Sequence, residues 1–178
     1  MTRSLRWLSV LIALPAAAPA GQAQSTLDSA CAAPEHRQFD FWIGSWTVTD
    51  TAGGVQGHND ITRIAGGCGL REHWRGAQGT EGMSLNVWQP ALGRWTQFWV
   101  GTGVVLHLTG GLDARGHMVL AGERRTPTGM VRDRVTWEPM PSGAVRQVWD
   151  VSSDGGATWR RIFTGIYRRA GARGAGRP

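Results

Sequence analysis

The sequence predicts an all-β protein, a single up-and-down antiparallel β-barrel of about ten strands with a short N-terminal helix. Two observations carry this expectation. Nine Gly- and Pro-rich turns, roughly a dozen residues apart, cut the stretch from Trp46 to Tyr167 into ten runs, seven of them holding a Trp, Phe or Tyr. Within the runs, side chains alternate with period 2, as on strands with one face buried. Met83, Leu85 and Val87 oppose Ser84, Asn86 and Trp88; Val104, Leu106 and Leu108 oppose Val105, His107 and Thr109. Val145, Gln147, Trp149 and Val151 oppose Arg146, Val148 and Asp150. Every connection is short enough for a hairpin, which favours a meander over a Greek key and its long return. A sheet closed on itself leaves no edge strand exposed.

Taken in order, residues 1–23 read as a secretory signal peptide. Arg3 and Arg6 form a basic start, Trp7 to Leu14 an apolar run, and small residues follow with cleavage expected after Ala20 or Ala23. Pro15 and Pro19 interrupt the segment well short of the roughly 20 residues that a membrane anchor requires. Cys31 has Asp28 three positions upstream, which disfavours lipoprotein processing. An extended leader is expected over 24–33. Over 34–43 a short helix is expected, with Pro34 at its first position, Phe39, Trp42 and Ile43 on one face, and Gly44 ending it. Strands follow at 45–51, 55–65, 69–76, 82–89, 94–101, 103–110, 117–125, 130–138, 144–152 and 158–168. The domain is expected to span 34–168, and 169–178 reads as a disordered Gly/Arg tail.

Charge and cysteines limit the function classes. The nineteen basic residues are all Arg, without a single Lys, which excludes Schiff-base chemistry. Two Arg fall in the signal peptide and four at the C-terminus, leaving thirteen against thirteen acidic residues, so the domain itself is neutral. Phosphate-backbone binding thereby loses its main support. The expected partner is a small molecule, with no nucleic acid and no stable membrane anchor, in the periplasm or outside the cell. Cys31 and Cys68 are the only cysteines, and an oxidising compartment favours a disulfide between them.

Candidate ligand-binding residues come from strand parity. Glu72 and Trp74 share a face, as do Ser84, Asn86 and Trp88, then Gln97 with Trp99, Arg134 with Thr136, and Gln147 with Trp149. Polar groups interleaved with Trp at strand period suit a pocket for a flat or amphipathic molecule. The competing reading makes the polar members solvent-facing and the Trp plain core. Glu72 and Arg134 lead the set, since a buried carboxylate and guanidinium need each other or a ligand. His58, His73, His107 and His117 form no H-x-H or H-x-x-x-H pair, so no metal site is predicted. There is no G-x-S-x-G elbow and no expected catalytic residue or cofactor.

Three resemblances add to this reading. Ser152, Asp154, Gly156, Thr158 and Trp159 match the Asp-box hairpin of sialidase-type propellers, S-x-D-x-G-x-T-W, in a single copy, which implies a braced hairpin rather than a glycosidase. Gly44-Ser45-Trp46 at the helix-to-strand handover resembles the calycins, whose G-x-W opens the first strand beneath a basic residue from the last. The resemblance implies a structural Gly44–Trp46 corner packed by Arg168, with Arg161 second. The segments FDFWIGSW, GGCGLREHW, LHLTGGL and RVTWEPMP resemble a large family of exported bacterial proteins, a resemblance that implies no activity. The expected function is non-covalent binding of a small, partly apolar ligand inside the barrel. The alternatives are a cofactor-free isomerase, cyclase or lyase using Glu72 and Arg134, a haem-binding barrel, and a partner-binding protein using Trp-bearing outer faces.

Overall fold

A computed structural model of the chain describes residues 31–171. The predicted signal peptide, most of the leader and the tail beyond 171 lie outside the described residues. Ten antiparallel strands close into one barrel: β1 (Gly44–Thr49), β2 (Val55–Ile64), β3 (Gly69–Gly76), β4 (Glu81–Gln89), β5 (Arg94–Gly101), β6 (Val104–Leu112), β7 (Met118–Thr126), β8 (Gly129–Pro139), β9 (Val145–Ser152) and β10 (Arg160–Arg169). Each strand pairs with its sequence neighbours. The seam joins β1 to β10, from Trp46 opposite Arg169 to Thr49 opposite Ile166. Arg169, expected at the start of the tail, is the last residue of β10.

Alternation decides what lies inside. Trp46 and Val48 of β1, Asn59 and Ile61 of β2, and Leu70 and Glu72 of β3 are buried, while their immediate neighbours are mostly less so. Asp133, Val135 and Trp137 form the buried set of β8. The outer face of β4–β6 instead exposes Met83, Leu85, Phe98, Val100 and Val105.

One end of the barrel is sealed by the segment before β1. The expected short helix is there, wound as two successive 3₁₀ turns, Pro34–Arg37 and Asp40–Trp42. The tighter winding has a packing reason: side chains three apart eclipse in a 3₁₀ turn, and Phe39 stacks on Trp42 with ring centroids 4.8 Å apart. Trp95 and Trp137 meet the edges of Phe39 at 5.7 and 5.1 Å. Trp46 donates from Nε1 to the Trp42 carbonyl at 2.9 Å, and Trp95 from Nε1 to Gln38 Oε1 at 3.1 Å. Fully burying such rings contributes about 4–6 kcal/mol each by area, which makes the plug part of the core rather than an appendage. The Cys31–Cys68 disulfide, with Cα atoms 5.0 Å apart, ties the plug to the β2–β3 connection. Arg37 reinforces it by donating to the carbonyls of Cys31 and Gly67.

The Gly44–Trp46 corner is packed by a different arginine from the one expected. Arg169, not Arg168, lies over the Trp46 ring, 4.0 Å from its centroid, and donates to the Ile43 carbonyl at 2.6 Å. Strand parity is the cause: Arg169 is directly opposite Trp46, whereas Arg168 is opposite Thr47 and bonds Thr49 Oγ1 on the outer face. Arg161, the second choice, pairs with Asp150. Gly44 is needed twice over. Its φ of 142° disfavours any side chain, and a Cβ there would sit 1.7 Å from the Arg169 guanidinium.

Candidate functional site

At the end opposite the plug the barrel is open, and a cavity of about 320 Å³ runs inward from it. Val55, Gln56, Ala77, Gln78 and Thr80, around the β1–β2 and β3–β4 turns, form part of its rim. Trp74, Trp99, Trp149 and Phe163 make its walls, with Leu106 and Val135 between them. Glu72, Gln97, Gln147 and Tyr167 supply the polar lining.

The aromatic walls stand clear of the lumen because glycines receive them. A Cβ on Gly82 would lie 2.2 Å from the Trp99 indole, and one on Gly101 2.6 Å from its Nε1. Trp74 repeats this arrangement against Gly57, where a Cβ would lie 2.7 Å from the ring. Phe163 lies likewise beside Gly165, at 2.8 Å. Each of these aromatics has an inward glycine two residues on: Trp74 and Gly76, Trp99 and Gly101, Phe163 and Gly165. The glycines on the same rungs give the rings a backbone surface to lie on, so the space that side chains would fill stays open.

Beneath the walls a hydrogen-bonded network crosses the floor. Glu72 accepts from Asn59 Nδ2 at 2.7 Å and from Ser84 Oγ at 2.6 Å. Ser84 Oγ accepts in turn from Asn86 Nδ2 at 2.8 Å, and Asn86 Oδ1 from Gln97 Nε2 at 2.8 Å. On the other side Asn59 Nδ2 also reaches the Tyr167 hydroxyl at 3.3 Å, and that hydroxyl donates to Gln147 Oε1. Tyr167 is held by Trp42 of the plug and Trp46 of β1, so the sealed end fixes one member of the floor. Burial raises the Glu72 carboxyl from its ordinary 4.5 to about 7, against the opposing pull of the Ser84 and Asn59 hydrogen bonds. Burial and the nearby Glu72 charge push the Tyr167 hydroxyl up as well.

Of the eleven candidates drawn from strand parity, six line this cavity: Glu72, Trp74, Gln97, Trp99, Gln147 and Trp149. Asn86 is wholly buried below the floor and orients Gln97 and Ser84. Arg134 is the correction. It lies on the outer face, bonds Asp150 at 3.3 Å and covers the Trp159 ring at 4.1 Å, so it neither faces Glu72 nor enters the cavity. The opposite face of β8 is the inward one, and it carries a buried ion pair that sequence reasoning missed. Asp133 accepts from Arg124 Nε at 2.8 Å and from Trp149 Nε1 at 2.8 Å, which sets the angle of the Trp149 wall.

Ser84 was recognised by parity, but Asn59 and Tyr167 were not. No histidine lines the cavity; His58, His73 and His107 are on alternate, outward positions, and His117 sits beside Asp113 in the β6–β7 turn. The haem reading therefore has no histidine in the lumen to ligate iron. The outer-face Trp reading is corrected too, since eight of the Trp from Trp42 onward belong to or pack against the core, and only Trp159 rides the last hairpin.

That hairpin behaves as the Asp box predicts. Asp154 accepts from the Thr158 hydroxyl at 2.5 Å, from the Thr158 amide at 2.9 Å and from Ser152 Oγ at 2.7 Å, bonds that hold its carboxyl far below the usual range. Trp159 Nε1 closes the turn onto the Gly156 carbonyl at 3.0 Å. No protein-family model and no curated protein matches the chain.

Proposed function

We propose that the chain is an exported barrel that takes one small, partly apolar molecule into its lumen and performs no covalent chemistry on it. The observation that carries this reading is the cavity itself: about 320 Å³, aromatic-walled, with a few convergent polar groups at its floor. That volume stands at the small end of ligand pockets, about 300–1,000 Å³, and the lining follows their usual division between apolar surface and orienting polar atoms. Export is in keeping with the Cys31–Cys68 disulfide. Among the described residues no helix is long and apolar enough to cross a membrane.

A neutral aromatic dye, 1-aminoanthracene, tests the reading. Its fluorescence should rise saturably with one site per chain, and Gly82→Val should abolish the rise. Gly82 has no positive φ, so Val fits its backbone, but the new side chain must displace the Trp99 indole into the lumen. Equal dye binding by both folded proteins sinks the proposal.

A second reading, cofactor-free proton transfer, is favoured by one observation, the Glu72 carboxyl poised at about 7 within the cavity. Tyr167 would take the place once expected of Arg134. Turnover lost in Glu72→Gln, with dye binding kept, would select this reading over passive binding.

A further inference from the structure

We propose that the lumen is a receptor for a small organic monocation, an amine or quaternary ammonium whose charged head sits between Glu72 and the aromatic walls. The inference rests on the ligand-binding reading and names the chemistry of its ligand.

The first argument is charge. Glu72 is 3 % exposed and lines the cavity, yet both of its hydrogen-bond partners, Asn59 and Ser84, are neutral. Buried carboxylates are ordinarily matched by a cation. Here none of the residues lining the cavity is Arg or His, and the chain contains no Lys. The inward Arg124 is committed to Asp133 through two contacts, 2.8 and 3.3 Å, and Arg169 is committed to Trp46 at the sealed end. The place of the counter-ion is open to a ligand.

The walls make the same selection. Trp74, Trp99, Trp149 and Phe163 surround the lumen, and Trp74 meets Phe163 edge to face at 6.3 Å. Aromatic faces carry negative potential, and rings gathered around a carboxylate are the usual cage for ammonium groups. Trp149 is further biased, because donating its N–H to the Asp133 carboxylate adds electron density to the indole. An anionic head would meet the opposite conditions. It would face the Glu72 charge, and the Tyr167 hydroxyl, the strongest potential donor on the floor, is already spent on Gln147.

Protonation adds a second signature. Burial holds the empty site's Glu72 at about 7, and a cation favours the ionised form, so binding strengthens as pH rises through that value. The groups packed around Glu72 are neutral Asn59 from β2, neutral Ser84 from β4 and the Tyr167 phenol from β10, which burial keeps protonated across this range. The charged Arg124–Asp133 pair stands behind Trp149 on the far wall.

The test is displacement of 1-aminoanthracene from the full chain by three probes that share a branched frame and differ in charge. They are choline, 3,3-dimethyl-1-butanol and 3,3-dimethylbutanoate. At about pH 8, choline should displace the dye at a concentration roughly tenfold below that of the alcohol, and the advantage should shrink at about pH 5.5. Glu72→Gln should remove the choline advantage, bringing choline and the alcohol to within about twofold of each other. If the alcohol or the carboxylate matches choline at the higher pH, or if Glu72→Gln keeps the choline advantage, the cation assignment is overturned while the ligand barrel stands. A folded wild-type protein that takes up no dye overturns both.

Discussion

Replacing Glu72 by Gln gives a direct measure of what the buried carboxyl does to the fold. In the unfolded chain Glu72 titrates near 4.5, and in the barrel near 7. The folded protein therefore holds this proton more tightly than the unfolded one, and stability falls as pH rises between the two values. Below 4.5 both states are protonated and no penalty exists; above 7 both are ionised and the penalty is complete. At about 1.4 kcal/mol per pH unit over that interval, the loss comes to about 3 kcal/mol. Gln retains the shape and the bond accepted from Ser84. Turning the Asn59 amide presents its unpartnered Oδ1 to the new N–H donor, so the variant should fold. Urea unfolding of both proteins across this pH range isolates the effect, because every other titration is common to the pair. Asp60, Glu138, Asp113 and Asp154 all have depressed carboxyls, and their contributions are lost only at more acidic pH. The variant should gain about 3 kcal/mol on the wild type between pH 4.5 and above 7. A difference that stays flat refutes the reasoning, and one of opposite sign would mean that Asn59 and Ser84 stabilise the carboxylate more than burial disfavours it.

Two further outcomes follow from the closed end. Arg169→Ala should lower stability by about 1 kcal/mol, through loss of the stack on Trp46 and the bond to Ile43. Arg168→Ala should stay within about 0.5 kcal/mol; thermal melts that rank the two the other way would contradict the assigned corner. Replacing Cys31 and Cys68 by Ser opens a crosslink of sequence separation 37 and should cost about 3–4 kcal/mol in denaturant unfolding. An unchanged midpoint would mean that the plug holds without its tether.

All ten strands were legible because their signals are local. Period-2 alternation and turn residues such as Ser153-Asp154-Gly155-Gly156 act within a few positions of themselves. The disulfide was legible because only one pairing existed. Facing direction was harder. On β8, parity separates Arg134 and Thr136 from Asp133, Val135 and Trp137, but it does not say which set is inside. The signal was present in Val135 and Trp137, and it would have placed Asp133 inward and Arg134 out. On β10 the register shifts between Arg161 and Phe163, and no feature of the sequence marks that shift. Arg168 and Arg169 lie beyond that shift, and the buried Tyr167 two residues before Arg169 marks the face on which Arg169 lies. The aromatic-x-Gly spacing at Trp74, Trp99 and Phe163 was also readable, since an inward glycine beside an inward ring leaves volume unfilled. Asn59 and Tyr167 join Glu72 only through long-range register and left no local trace.

The seam has a consequence for the order in which the barrel assembles. Nine ladders join consecutive strands and can zip as hairpins while the chain is still emerging. The tenth joins Trp46 to Arg169, and closing a loop of that length costs about 4 kcal/mol of chain entropy before any contact repays it. Until β10 arrives, the nascent protein is an open sheet with two unpaired edges, each able to recruit a neighbour instead of its mate. The plug stands at the β1 side of this gap, tethered to the β2–β3 connection by the disulfide. Its Trp42 ring meets Tyr167 of the incoming strand. The residues that seal the finished barrel are thus also those that receive its final strand.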